Sequence, residues 1–156
     1  MHPSPIGTLE IRTKDGLLCT VRKIQNTTAE ESPDDLCEET ARQLTAYFQR
    51  ERRVFDLPLS FGPCTPFEQA VWNGLLAVPY GETVSYGQLA LHAGYPRAFR
   101  AAGMANRKNP LAIIVPCHRC IASDGSLHGY FYGLEIKAFL LDLENPGWSS
   151  RRLRAG

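Results

Sequence analysis

An apolar run at residues 111–115 ends at a proline. Such a run is typical of a buried strand, and Pro116 would end it because proline cannot donate the next ladder hydrogen bond. Cys117 and His118 follow directly. A thiol at the end of a rigid core element is held in place, and a nearby imidazole favours the reactive thiolate. We therefore predict a strand over 111–115 and a candidate nucleophile at Cys117.

Two other interpretations of Cys117 stay open at this point. A cysteine in an apolar setting is commonly an inert core residue. Cys117 and Cys120 also form a Cys-x-x-Cys pair, which suits redox chemistry or half of a zinc site. The other cysteines (Cys19, Cys37 and Cys64) are scattered, and neither a second such pair nor a His-x-x-x-His completes a metal cage. The absence of a second ligand pair disfavours a zinc site. A redox Cys-x-x-Cys is expected at a helix N-terminus after the first strand of a small domain, whereas this pair comes late in the chain.

Length and composition predict one ordinary domain or two small ones. The chain has 156 residues, 44% hydrophobic and 21% charged, and its five cysteines favour reduced thiols inside the cell. With no membrane-length apolar run and no signal-peptide pattern, we expect a cytoplasmic protein with no membrane partner, nuclear entry being left open. Residues 1–65 hold 8 basic and 10 acidic residues, whereas 66–156 hold 9 and 6. The second part is the better candidate to meet a polyanion.

The first part of the chain predicts a small supporting domain over residues 1–62. The elements expected there are two hairpin strands around 8–12 and 17–21, an amphipathic helix at 35–49 and a further strand at 54–57. None of these residues forms a catalytic constellation. We expect an α/β N-terminal lobe, a small sheet plus a helix, that supports the rest.

The second part, residues 63–156, predicts a mostly α C-terminal domain. Thr65-Pro66-Phe67-Glu68 forms a capping box and predicts a helix at 66–77. Ser85-Tyr86-Gly87-Gln88 repeats the pattern and predicts a short helix to His92, after which Pro96 begins another to about Met104. Two short helices joined by a glycine-bearing turn are typical of a DNA-binding helix-turn-helix. A final helix is expected at 134–143, before a frayed tail at 148–156.

The second helix of this helix-turn-helix is basic. Between positions 97 and 108 the chain has no acidic residue and four basic ones: Arg97, Arg100, Arg107 and Lys108. A solvated helix face is the plain alternative. Small residues interleave with the arginines, however, and they let a helix lie close to a groove, so we favour nucleic-acid contact.

Pro116-Cys117-His118-Arg119 resembles the active-site motif of the O6-alkylguanine-DNA alkyltransferases (methylated-DNA–protein-cysteine methyltransferases). Further blocks fall in that family's order and spacing: residues 4–7, 47–48, 65–72, 79–86, 109–110 and 133–134. The resemblance implies repair by direct reversal, in which the protein flips an O6-methylguanine (O4-methylthymine being a further candidate) out of duplex DNA. The alkyl group passes to Cys117 once and irreversibly, without cofactor or metal. The implied partner is double-stranded DNA containing alkylated guanine, bound by a monomer.

The resemblance also implies the catalytic residues. Cys117 is the alkyl acceptor, and Glu144 orients His118, which acts on the thiol through a water. Tyr86 assists the leaving guanine, and Lys137 lies near the active site.

For DNA binding, the resemblance implies that Arg100 fills the gap left by the flipped base. Ala101, Gly103 and Arg119 also contact DNA, together with Tyr86. Asn109 is the hinge between the recognition helix and the active-site strand.

This chain departs from the family pattern near the substrate pocket, which we assign to Tyr130, Phe131 and Tyr132. The last two are bulky where the family has small residues, so we expect methyl to be preferred over benzyl-sized adducts. Cys120 stands where an apolar residue is usual, either as a small core residue or as a site of oxidation. Two rival functions are a non-repairing alkyltransferase-like protein, which carries tryptophan in place of Cys117, and a helix-turn-helix regulator, which explains residues 85–105 alone.

Overall fold

The computed structural model describes residues 2–25, 34–127 and 130–150. It divides the chain into two compact units, Met1–Pro63 with Pro110–Ile114 and Cys64–Asn109 with Val115–Gly156. The prediction for 148–156 falls partly outside the described residues. Within them, Trp148 is buried with Ile121 and Leu141, so the frayed tail predicted from residue 148 is wrong at its start.

A three-stranded antiparallel sheet forms the first unit. Its strands are β1 (His2–Ser4), β2 (Gly7–Lys14) and β3 (Leu17–Ile24), in the order β1-β2-β3. Asp15 and Gly16 both have positive φ, 53° and 77°, as a two-residue hairpin turn requires. The predicted hairpin is confirmed, with longer arms than expected.

Helix α1 (Asp35–Phe48) begins where the sequence predicts. The side chain of Asp34 caps it by accepting a hydrogen bond from the N–H of Cys37 at 2.7 Å. The strand predicted at 54–57 is wrong. The N–H of Asp56 donates to Oε1 of Gln43 at 2.9 Å, and its carbonyl accepts from Nε2 at 3.0 Å, so a side chain takes the place of a neighbouring strand.

The apolar run at 111–115 is buried but is not a strand, so this prediction is also wrong. Leu111 makes one isolated parallel bridge with Val21, and Ala112 donates to the Val21 carbonyl at 2.9 Å. The chain then turns, because Ile113 has φ 72° and the N–H of Ile114 donates to the Ala112 carbonyl at 2.8 Å. This is a γ-turn with a positive central φ, a costly conformation for a β-branched residue.

The described residues of the second unit form four α-helices and one parallel strand pair. They are α2 (Pro66–Leu76), β4 (Val84–Ser85), α3 (Tyr86–His92), α4 (Phe99–Arg107), β5 (Cys120–Ile121) and α5 (Leu134–Glu144). Both predicted capping boxes are present, Thr65 with Glu68 and Ser85 with Gln88. The fold class is confirmed: a small sheet with a helix precedes a mostly α domain. No helix within the described residues has the length and apolarity to cross a membrane.

Helices α3 and α4 pack against each other as the predicted helix-turn-helix. Helix α4 starts and ends three residues later than expected. Pro96 lies instead in a turn, closed by a hydrogen bond from the Ala98 N–H to the Tyr95 carbonyl at 3.0 Å. The inner face of α4 is formed by Ala102, Ala105 and Asn106, all buried.

Candidate active site

Cys117 opens a single 3₁₀ turn, Cys117–Arg119. Its N–H donates to the Val115 carbonyl at 2.8 Å, and Pro116 between them has φ −80° and ψ 66°. These values define an inverse γ-turn, which proline favours because its φ is already fixed near this angle. The sulfur-bearing residue is 5% exposed. A proline-fixed turn, rather than a strand end, therefore sets the direction of the thiol.

Two asparagines, one in the last turn of α4 and one just after that helix, hold this turn. Asn109 donates through Nδ2 to the Val115 carbonyl at 2.8 Å, and its side chain also hydrogen-bonds the Cys117 thiol. Asn106 donates through Nδ2 to the Cys117 carbonyl at 3.3 Å. The backbone on both sides of Pro116 is thus fixed to the C-terminal end of α4.

A buried carboxylate, Glu144 at the end of α5, organises the other side of the turn. Its Oε2 lies 2.6 Å from His118 Nε2 and 3.0 Å from Arg119 Nη2, and its Oε1 lies 2.8 Å from Arg119 Nε. Burial favours the protonated acid, but the hydrogen bonds and charges of His118 and Arg119 outweigh it and hold the pKa of Glu144 well below its ordinary range. The carboxylate is therefore an anion.

His118 is a neutral imidazole in this setting. Burial lowers its pKa, and the opposing effect of Glu144 does not restore it. An ionised carboxylate can only accept, so Nε2 carries the hydrogen that bonds Glu144, and Nδ1 is the basic nitrogen. That Nδ1 is buried and has no hydrogen-bond partner among the described residues. The site thus holds a base with a free lone pair directly after Cys117.

The thiol itself is not ionised by its surroundings. Burial raises the pKa of Cys117, although the Asn109 hydrogen bond and the Lys137 ammonium oppose the rise. Lys137 is fully buried, donates to the Cys120 carbonyl, and has its Nζ 5.9 Å from the Tyr86 ring centroid. Burial also raises the pKa of Cys120 to about 12. Cys117 thus needs a base during attack, and Cys120 behaves as a core residue.

Two tyrosines lie near the thiol and stay protonated. Burial, followed by the thiols of Cys120 and Cys117, raises the pKa of Tyr86 to about 12. The hydroxyl of Tyr130 is buried beside the Cys117 thiol, and burial, with a smaller contribution from that thiol, raises its pKa well above the ordinary value. Either hydroxyl can donate a proton to a group bound beside the sulfur.

The outer face of α4 is exposed within the described part of the chain. Arg100, Ala101, Met104 and Arg107 are exposed, and Gly103 is half-buried beside the Tyr86 ring, which would lie 3.7 Å from an added Cβ. The Arg100 guanidinium lies 5.7 Å from the ring centroid of Phe99.

Comparison with known proteins identifies the family. Residues 66–146 match the family model described as "6-O-methylguanine DNA methyltransferase, DNA binding domain", and residues 1–61 match that of its ribonuclease-like domain. The chain belongs to the 6-O-methylguanine DNA methyltransferase family.

Relatives in this family cover nearly the whole chain. The methylated-DNA–protein-cysteine methyltransferase of Methanosarcina acetivorans is 46% identical over 90% of this chain and 94% of its own length. The constitutive enzyme of the same name from Bacillus subtilis is 46% identical over 82% of this chain and 76% of its own. The crystal structure of Mycobacterium tuberculosis OGT in complex with DNA superposes with a TM-score of 0.81, at 44% identity, covering 90% of this chain and 88% of that one.

The structure brings together most of the residues that the family motif predicts. Cys117, His118 and Glu144 form one buried group, and Lys137 and Tyr86 lie beside it. Asn109 lies between α4 and the Cys117 turn.

Arg119, which was predicted to contact DNA, is bonded within the protein. It is 6% exposed, and its guanidinium binds both oxygens of Glu144 and the Val78 carbonyl, the latter through Nη1 at 2.8 Å. A phosphate could not reach it without breaking these bonds.

The predicted pocket residues separate in the structure. Tyr130 is buried, and Tyr132 is half-buried with its ring centroid 5.7 Å from that of Tyr130. Phe131 is 67% exposed, with its ring centroid 5.0 Å from that of Tyr132.

Sequence reasoning missed Asn106. A pattern could have indicated it, because this polar residue shares the otherwise small, apolar inner face of α4 with Ala102 and Ala105. The described residues contain no cluster of three or more His, Cys, Asp or Glu side chains suited to a metal ion.

Proposed function

We propose that this protein repairs O6-methylguanine in double-stranded DNA by transferring the methyl group to Cys117, acting once. Family membership supports the reaction class, and the Glu144–His118 pair beside a buried thiol supports the assignment to this cysteine. The main observation in support is that Nδ1 of His118, the residue after Cys117, has no hydrogen-bond partner among the described residues, while Nε2 is bonded to Glu144 at 2.6 Å.

The attack of the sulfur requires removal of the thiol proton. Because the pKa of Cys117 is raised, a base must take the proton as the sulfur attacks. Nδ1 of His118 takes it through one water, and the Glu144 anion stabilises the imidazolium that forms.

The sulfur then attacks the methyl carbon in line with the C–O6 bond. The S–C bond forms, the C–O6 bond breaks, and its electron pair stays with guanine. The Tyr86 hydroxyl gives its proton to the leaving base, and the proton taken up by His118 balances this loss. A pKa of about 12 keeps Tyr86 protonated until that step. The thioether product has no route back to the thiol, so each molecule reacts once.

The methyl carbon of a stacked guanine is out of reach of a buried thiol, so the nucleotide must be extruded from the duplex. Helix α4 supplies the docking face, and Arg100 fills the space that the base leaves. Ala101 and Gly103 allow close approach of the helix backbone to the groove. Asn109 acts as the hinge between α4 and the Cys117 turn. The protein meets its DNA as a monomer.

Intact mass after incubation with a duplex containing O6-methylguanine tests the proposal. We expect a gain of one CH2, absent in Cys117→Ser and retained in the control Cys64→Ser, whose cysteine is half-buried elsewhere in the second unit. A gain of mass that survives in Cys117→Ser would overturn the assignment. Duplex binding without any mass change would favour a non-repairing binding protein, and an O4-methylthymine duplex run in parallel defines the substrate range.

A further inference from the structure

Asn106 makes an unusual contact from the inner face of α4. It is 2% exposed, and its Nδ2 donates to the carbonyl oxygen of Cys117 at 3.3 Å. A carbonyl oxygen can only accept, so the amide nitrogen must face it and the amide oxygen must point elsewhere. That oxygen is buried and has no partner among the described residues. The side chain thus satisfies one hydrogen bond and leaves another unmade.

A contribution to stability does not by itself explain a buried asparagine with an unpartnered amide oxygen. A buried acceptor without a donor is destabilising, whereas leucine has nearly the same shape and no polar atoms. Ala102 and Ala105, which share this face, are buried apolar residues. The hydrogen bond to Cys117 is therefore the feature that distinguishes asparagine from an apolar residue here.

The accepting oxygen has a second role that makes the contact more significant. The same Cys117 carbonyl accepts the N–H of Cys120, which closes the 3₁₀ turn. Asn106 thereby fixes this turn directly to α4. Asn109 donates a hydrogen bond to the carbonyl of Val115, the residue before Pro116, at 2.8 Å. The two amides therefore hold the backbone on either side of Pro116.

Helix α4 is itself fixed at this point. Nε1 of Trp72 on α2 donates to the Ala105 carbonyl at 2.8 Å, and Trp72 is 3% exposed. A rigid helix end therefore carries the amide that holds the thiol-bearing turn.

We propose that Asn106 is a positioning residue that sets the distance between DNA docked on α4 and the sulfur of Cys117. The proposal rests on the function proposed above. A base extruded from a duplex on α4 arrives at a place fixed by that helix, so the thiol must be fixed to the same helix. Displacement of a reacting atom by about 1 Å can cost on the order of 100-fold in rate.

The test compares Asn106→Leu with Gln43→Met, each an amide replaced by an apolar side chain of similar shape. Gln43 is 3% exposed in the first unit, where its amide bonds the Asp56 backbone, and the residues of the proposed machinery belong to the second unit. Three quantities are measured on each full-length variant: the single-turnover rate of methyl transfer at saturating duplex, the Kd for the duplex in a Cys117→Ser background, and the midpoint of thermal unfolding.

For Asn106→Leu we expect the transfer rate to fall about 10- to 100-fold. The Kd should change by less than about twofold and the unfolding midpoint should not fall. Gln43→Met should show the reverse, a lower midpoint with an unchanged rate. If Asn106→Leu fails to fold, Asn106→Ala gives the same comparison, since alanine is the best helix former.

Two results would overturn the positioning role. One is a wild-type transfer rate in Asn106→Leu. The other is a lowered midpoint of thermal unfolding together with a loss of transfer rate that disappears when the assay is cooled. That combination would indicate a structural role alone. Failure of the wild-type protein to transfer a methyl group would instead reject the proposed function, so the two failures are distinguishable.

Discussion

Arg119 binds Glu144 through both carboxylate oxygens, with Nε 2.8 Å from Oε1 and Nη2 3.0 Å from Oε2. This bidentate pair keeps the carboxylate ionised inside the protein and leaves part of Oε2 for His118. Arg119, two residues after Cys117, therefore holds the carboxylate that bonds the base His118.

The Arg119–Glu144 pair predicts a large stability effect. Arg119→Met leaves Glu144 buried without its main counter-charge, and breaking such a pair costs about 3–5 kcal/mol. Urea denaturation should show this loss. The matched control is Arg107→Met on the exposed face of α4, where we expect little change in the free energy of unfolding. Equal stabilities of the two variants would contradict the structural role of Arg119.

The free energy of unfolding should decrease in two steps as the pH is lowered. The pKa of His118 is lowered in the folded protein, so below the ordinary value near 6.5 the unfolded chain binds a proton that the folded chain does not, and stability is lost. The pKa of Glu144 is lowered too, so its contribution is complete above the ordinary value near 4.5 and disappears below it.

Urea denaturation at pH 7.5, 5.5 and 4 would measure both steps. His118→Gln should remove most of the loss of unfolding free energy between pH 7.5 and 5.5. The rest of that loss comes from His2, whose pKa is also lowered by partial burial. A free energy of unfolding that rises between pH 7.5 and 5.5 would show that His118 is charged in the folded protein.

Two helical glycines should respond differently to alanine. At Gly103 the new Cβ would lie 3.7 Å from the Tyr86 ring, an ordinary contact, so Gly103→Ala should stabilise the protein by about 0.5–1 kcal/mol. At Gly74 it would lie 3.1 Å from Leu89 Cδ1, which must move. Gly74→Ala should therefore gain less than Gly103→Ala or lose stability, and thermal unfolding of both variants checks the order.

Tyr132 should limit the size of the adduct. It is half-buried against Tyr130, whose hydroxyl interacts with the Cys117 thiol, whereas Phe131 faces solvent. We expect Tyr132→Gly to raise the transfer rate from O6-benzylguanine relative to O6-methylguanine in duplex DNA, and Phe131→Gly to leave that ratio nearly unchanged. A larger effect of Phe131→Gly would reverse the assignment.

Local patterns in the sequence predicted local structure well. Thr65 with Glu68 and Ser85 with Gln88 needed only hydrogen bonds within four residues, so both helix starts were predicted correctly. The hairpin also succeeded, because Asp15 and Gly16 can both adopt the positive φ that its turn requires.

The failed predictions depended on partners distant in sequence. The run at 111–115 is apolar because it is buried, and the pattern could not show that one bridge to Val21 is followed by a turn at Ile113. The pattern also could not show that Arg119 binds Glu144, which lies 25 residues later. Asn106 was missed because the Cys117 carbonyl it binds is 11 residues away.

The route of the chain around Cys117 limits how this protein can be divided. Residues 110–114 belong to the first compact unit, although Asn109 and Val115 on either side belong to the second. A chain cut before Cys64 would therefore keep Leu111 and Ile113, which are buried in the intact protein, but lose the β3 strand that Leu111 pairs with. The second unit is therefore not an independent module. Fusion or circular-permutation designs must keep the first 63 residues or replace the apolar side chains of residues 110–114 with polar ones.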